Sequence, residues 1–295
     1  MTYVPKEITE EVNVTPTNPL VNLAYLLGTV SLFAAVAFVV SGIVADAIAT
    51  RIKPETEVKI GSAISSSMIA NTRENDSRVA YLDQLVSDLQ ADLASTELGS
   101  GEYPPVTIRI IDTPVENAMV TAGSYLFVTD GLLASVESEN ELAFVLGHEL
   151  GHLHHRDPVK ALGRSLVWMS LSTLLGVGGN QVPGVVGGAV NFQEMSYGRS
   201  QEMAADRYGL EAVVARYGHG GSSLGFFERM QEQESDWGAL NTVAEWQQTH
   251  PFSKNRIQHL QSEFDQRGWP QMGKIEPLPE GIECPSFEEC EEIGR

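Results

Sequence analysis

The most extended pattern in the chain is an apolar one. No charged side chain occurs from Val12 until Asp46, and Leu20–Ala45 is 26 residues of mostly apolar positions. At ~1.5 Å per helical residue this run exceeds a hydrocarbon core of ~30 Å. It predicts one transmembrane helix over 19–46, behind a polar tail at 1–18. A cleaved signal peptide fits less well, because the start carries Lys6 against Glu7, Glu10 and Glu11 and the apolar run is long. A core helix would not be apolar on every face. Further on, Val79, Leu82, Leu85, Val86, Leu89 and Leu93 recur at spacings of three and four, so 60–98 reads as an amphipathic helix covering a core. The segment 47–100 is thus a linker and amphipathic helix. Gly99–Pro105 breaks the chain, and two strand-like runs follow, Val106–Ile111 and Tyr125–Thr129, with Asn117–Thr121 between them. Ser138 and Glu141 make an S-x-x-E capping box, opening a helix whose apolar side holds Leu142, Val145, Leu146 and Leu150.

A second charge-free stretch, Ser165–Gln193, holds six glycines with Asn180, Gln181 and Pro183. Those breakers argue against a clean bilayer span. The two readings are a buried helix with a glycine-rich hairpin in the core, which we favour, and a membrane-dipping loop. The pattern predicts an α+β fold: a mostly helical domain with a small sheet over 101–270, the N-terminal transmembrane helix, and an acidic tail over 271–295.

Composition changes this picture little. With 42% hydrophobic residues a packed core is expected, and a formal net charge of -20 excludes a nucleic-acid partner, whose phosphates would be repelled. The two cysteines, Cys284 and Cys290, are too few for a cysteine-rich metal site; they form one small disulfide or stay as thiols.

The candidate chemistry lies on the capped helix. His148-Glu149-Leu150-Gly151-His152 is an H-E-x-x-H sequence. Histidines at i and i+4 share a helix face, so both imidazoles can reach one zinc ion at ~2.0–2.1 Å. Glu149 stands beside the site, where it can take a proton from the attacking water. A catalytic zinc needs a third protein ligand and an open position. Downstream, Glu202 and Asp206 also share a helix face; one carboxylate can bind the metal while the other accepts the N–H of a ligand histidine. The implied cofactor is one Zn2+ per chain.

Several blocks, in order, resemble the membrane-associated gluzincin peptidases that include HtpX-type proteases and CAAX prenyl proteases. They are Asn117-Ala118 and Gly131-Leu132-Leu133, similar to the family's strand pair; Ser138–Ala143 leading into H-E-L-G-H; Arg156-Asp157; Glu202-x-x-Ala205-Asp206; and His250-Pro251 with Arg256. The resemblance covers about 70–260. It implies zinc, endopeptidase activity, Glu202 as third ligand with His148 and His152, and Asp206 behind the ligands. It also implies that His250 lies near the metal, there to hydrogen-bond the developing oxyanion or to gate the open position. Arg256 is expected to brace nearby carboxylates. The single predicted span departs from the multi-span HtpX-type and prenyl proteases and is closer to the family's more soluble quality-control members.

The expected function is membrane-anchored, zinc-dependent hydrolysis of peptide bonds in membrane or envelope proteins, serving quality control, with partners that are a protein or peptide substrate and the lipid bilayer. The substrate is expected along an edge strand. The alternative is a zinc-bearing chaperone or scaffold with vestigial activity, against which the intact Glu149 argues. His155 as a fourth ligand would close the open position and is rejected; His154, His219 and His259 are structural. Gly147 and Gly151 are read as permitting close packing near the metal. Arg51, Lys53 and Lys59 follow the span while only Lys6 precedes it, which leans the catalytic domain to the cytoplasmic side.

Overall fold

A computed structural model of the chain describes residues 18–49, 51–73, 76–96, 98, 105–174, 185–186, 189–190, 197–234, 250 and 254–283. It divides into two compact units, Met1–Ile43 and Val44–Arg295.

The first unit holds most of helix α1 (Pro19–Ala49). Asn18 caps it, its Oδ1 accepting from the Leu20 N–H at 3.0 Å. Leu20, Tyr25, Phe33 and Phe38 are 75%, 73%, 71% and 63% exposed on all sides of the helix. Its 31 residues are long and apolar enough to cross a membrane, a solvent that asks every backbone group to be paired within the segment.

In the second unit a three-stranded sheet, β1 (Thr107–Ile111), β2 (Ala118–Thr121) and β3 (Tyr125–Thr129), has the order β1-β3-β2. β1 runs parallel to β3, from Thr107 opposite Tyr125 to Ile111 opposite Thr129. β2 and β3 are an antiparallel hairpin, Ala118 opposite Val128. The turn between them uses positive φ at Gly123 and Ser124.

The 60–98 stretch is not one helix. It comprises α2 (Pro54–Ile64), α3 (Ser66–Ile69) and α4 (Arg78–Leu93). The interruption has a cause: Thr72 bridges Ile111 and the Arg73 N–H donates to Ile110 O at 3.1 Å, so this segment leaves the helix to pair with the exposed edge of β1. α4 buries Leu82, Leu85, Val86, Leu89 and Leu93, the face that the spacing predicts. Gly131-Leu132-Leu133 also differs from expectation, lying in helix α5 (Asp130–Ser135) rather than a strand. A Cβ at Gly131 would stand 2.3 Å from Pro114 O, so the loop crosses where only glycine fits.

Helix α6 (Glu139–His154) starts at the capping box, half formed. Ser138 Oγ accepts from the Glu141 N–H at 3.2 Å, but Glu141 Oε2 accepts from the Glu137 N–H at 3.0 Å and pairs with Arg229 at 2.7 Å. Helices α7 (Asp157–Leu174), α8 (Arg199–Tyr217), α9 (Gly225–Glu234) and α10 (Lys254–Arg267) follow, with a small antiparallel pair, β4 (Val185–Val186) and β5 (Ala189–Val190), after α7. The core joins sheet, α4, α6, α8, α9 and α10, with Phe144 and Phe227 edge to face at 5.1 Å. A smaller apolar cluster unites Ala49, Ala122 and Val159 with Ile52.

Residues 271–283 are not a free tail. The Glu139 N–H donates to Glu276 O, the Glu276 N–H donates to Asn140 Oδ1, and Ile282 is 2% exposed. Cys284, Cys290 and most of 175–196 lie outside the described residues.

Candidate metal centre

The site is built where α6 crosses α8 at close backbone approach, through glycines. A Cβ at Gly147 would stand 3.0 Å from Gly209 Cα, and one at Gly151 2.8 Å from Ala205 Cα. This backbone contact places the His148/His152 face of α6 on the Glu202/Asp206 face of α8. All four side chains and Glu149 are buried.

One donor atom from each of His148, His152, Glu202 and His250 lies within 4.8 Å of the others, a group able to hold a metal ion. His148 and His152 approach through Nε2 at 3.1 Å. Their Nδ1 atoms face carboxylates: His148 Nδ1 is 2.9 Å from Asp206 Oδ1, and His152 Nδ1 is 3.0 Å from Asp157 Oδ2. A carboxylate only accepts, so the His152–Asp157 hydrogen bond puts that ring's proton at Nδ1, and the approach of Asp206 to His148 Nδ1 favours the same tautomer there. Both Nε2 lone pairs then meet at one point, which is repulsive unless a cation sits there. Two ligands of a tetrahedral zinc at ~2.0–2.1 Å stand ~3.3–3.4 Å apart, close to this separation. The donor set fits a metal of that kind.

The electrostatics agree. Burial drives the His152 pKa down to about 4, keeping the ring neutral and available as a ligand. Burial pushes Glu202 up, but His250, His148 and Arg256 outweigh it and hold the carboxyl well below the ordinary range. Asp206 is likewise held down against burial, chiefly by Arg256 and then by His148. Arg256 forks onto Asp206 through Nε at 2.8 Å and Nη2 at 2.6 Å, and its Nη1 is 2.9 Å from Glu202 Oε2. Burial raises the pKa of Glu149, with His250 and His148 opposing, which moves a carboxylate toward the range of a working base.

His250 sits among the carboxylates, Nδ1 3.3 Å from Glu202 Oε1 and Nε2 3.3 Å from Glu149 Oε1. Burial lowers its pKa, but Glu202 and Glu149 more than reverse this. All seven predicted site residues are therefore brought together. His155 is turned away, its Nδ1–H donating to Gly151 O at 2.7 Å.

Two neighbours escaped the sequence reading. Asp157 serves His152 as Asp206 serves His148. The signal was the Arg156-Asp157 pair just past the helix end, where Arg156 takes φ 57 and turns the chain back. Tyr197 stacks on His152 with ring centroids 4.0 Å apart and planes 22° apart; nothing local in the sequence marks it.

A family model described as Peptidase family M48 matches residues 76–264. The chain is 31% identical over 164 residues to "Metalloendopeptidase OMA1, mitochondrial" of Bos taurus, covering 52% of this chain and 31% of that protein. It is 26% identical over 166 residues to "Putative beta-barrel assembly-enhancing protease" of Vibrio cholerae, covering 52% and 33%. It is 38% identical over 98 residues to "Protease HtpX homolog" of Aeropyrum pernix, covering 28% and 29%. The chain spans less than half the length of each of these relatives.

Proposed function

The chain belongs to peptidase family M48, and from that premise we propose that it is a membrane-anchored zinc metalloendopeptidase. The observation that carries the reading is the convergence of the buried His148 and His152 Nε2 atoms and the Glu202 carboxylate on one point, near Glu149. His148, His152 and Glu202 would hold one Zn2+ per chain. Bound zinc supplies Lewis acidity at the scissile carbonyl and makes water a stronger acid.

Glu149 takes the proton of the attacking water and returns it to the leaving amine. Asp206 and Asp157 keep the two imidazoles in the Nδ1–H tautomer, and Arg256 holds Asp206 and Glu202 in place. His250, whose donor atom belongs to the same group of four, either gates the remaining position or hydrogen-bonds the developing oxyanion, and its variant distinguishes the two. β2 is the edge strand nearest this chemistry, with the Val120 backbone adjoining Glu149; all four of its residues are buried, so an extended peptide added along it would have to displace what covers that edge. The apolar α1 supports single-pass anchoring, substrates that are membrane or envelope proteins, and a role in quality control; the basic flank after α1 supports a cytoplasmic catalytic domain.

The test is proteolysis of an unfolded protein by the full chain in detergent. Activity should vanish with a chelator and return with zinc. Turnover that survives chelation would refute a metal mechanism. His250→Ala should raise basal turnover if His250 gates the site and lower it if it binds the oxyanion; an unchanged rate would leave it structural.

A further inference from the structure

The two ligand imidazoles are oriented by unlike partners. Behind His148 stands Asp206, held by the charged fork of Arg256. Behind His152 stands Asp157, 1% exposed, whose second oxygen accepts from the Gln201 Nε2–H at 2.7 Å. We propose that Gln201 is a positioning residue of the metal centre, acting on His152 through Asp157 and through the start of α8. The inference rests on the metal-site reading above.

Both ends of the Gln201 carboxamide are engaged. Its nitrogen must face Asp157, because a carboxylate only accepts. Its Oε1 then accepts from the Gly198 N–H at 3.1 Å, capping the first turn of α8. Tyr197, the residue before Gly198, lays its ring on the face of His152. One side chain therefore joins the first residue of α7, the entry of α8 and the last turn of α6. It fixes His152 at its edge, through the Asp157 hydrogen bond, and at its face, through the placement of Tyr197.

The choice of an amide has a chemical consequence. Arg256 compensates the charge of Asp206. Gln201 is neutral, and the cation paired with Asp157 among the described residues, Lys160 Nζ, stands 3.6 Å from its Oδ1. Asp157 thus keeps more of its negative charge facing His152 Nδ1–H, which makes His152 the more strongly donating ligand. A carboxylate in place of the amide would put two negative oxygens where the 2.7 Å hydrogen bond now lies.

The test uses the full-length protein in detergent with zinc and Co2+. Gln201→Met keeps length and helix propensity but removes both hydrogen bonds. It should weaken zinc by ~10–100-fold in chelator competition, the range usual for groups behind a ligand, and should shift the visible absorption of the Co2+ form. Gln201→Glu should weaken zinc further, and Gln201→Met decides alone if Gln201→Glu fails to fold. Thermal unfolding of metal-free Gln201→Met should fall only by the modest cost of the lost cap, less than the loss of zinc affinity corresponds to. Unchanged affinity and spectrum overturn the proposal. So does a loss of affinity matched by an equal loss of metal-free stability, which is what a merely structural cap gives. A parent chain that takes up neither metal refutes the metal centre itself, and the control sample separates that failure from this one.

Discussion

His152 and His250 are both buried in one site, yet their proton affinities are driven in opposite directions. Burial lowers His152 to about 4, from 6.5 in the unfolded chain. Between those values the unfolded chain binds the extra proton, so metal-free protein loses stability as pH falls through that window. His250 is raised above 6.5, because Glu202 and Glu149 overcome its burial. Its contribution is fully present below 6.5 and is lost as pH rises through the folded value. Their joint contribution therefore peaks near pH 6.5. Urea unfolding of the metal-free protein across pH reads this directly: His250→Gln should flatten the alkaline fall and spare the acid one, and an alkaline limb that persists would refute the assignment. At the same scale, Glu149→Gln should keep zinc and lose turnover by ~10²–10⁴, the usual worth of a general base. Near-normal turnover would remove Glu149 from the chemistry. Asp157→Asn should weaken zinc by ~10–100-fold, as Asp206→Asn should; metal content after dialysis against a chelator measures both.

At the scale of elements, the decisive contact is the crossing of α6 and α8. A Cβ at Gly209 would stand 2.8 Å from His148 N and 2.9 Å from Phe144 O, both backbone atoms of α6. Backbone cannot give way as a flexible side chain does. Gly209→Ala should therefore destabilise the fold by about 1–3 kcal/mol, as overpacking does. It should weaken zinc too, because pushing α8 away carries Glu202 and Asp206 from the histidines. Thermal unfolding and chelator competition should move together; a variant stable as the parent, with full zinc affinity, would show that the two helices tolerate separation.

For the molecule as a whole, the segment after α1 is tied to the far end of α6. Arg156 donates through Nη2 to Ile52 O at 3.0 Å and pairs with the buried Glu57, and it does so from a left-handed backbone next to Asp157. α2 lies directly on the β2–β3 turn, where a Cβ at Gly61 would meet Ala122 O. Glu57→Ala, which leaves Arg156 without this acceptor, should cost about 1–3 kcal/mol; unaltered urea unfolding would make the contact incidental. The distribution of Arg51, Lys53 and Lys59 after the span and Lys6 before it leads us to expect the catalytic domain inside. Protease added to intact spheroplasts should leave it whole, and digestion without lysis would place it outside.

What the sequence by itself determined is whatever follows a local period. The apolar run is α1, the three–four spacing is the buried face of α4, and H-E-x-x-H is one face of α6, because helix geometry alone puts i and i+4 together. Glu202 and Asp206 were legible as a pair for the same reason, and the family resemblance supplied His250 and Arg256. Tertiary structure decided what depends on distant chain. The break at Thr72–Arg73 exists because β1 offers unpaired backbone groups there. Asp157 became the partner of His152 only because Arg156 reverses the chain onto the helix end. Tyr197 found the face of His152, and Gln201 found Asp157, because glycines let α8 lie against α6. None of these contacts has a period to read, since each is set by where separate elements pack rather than by the spacing within one.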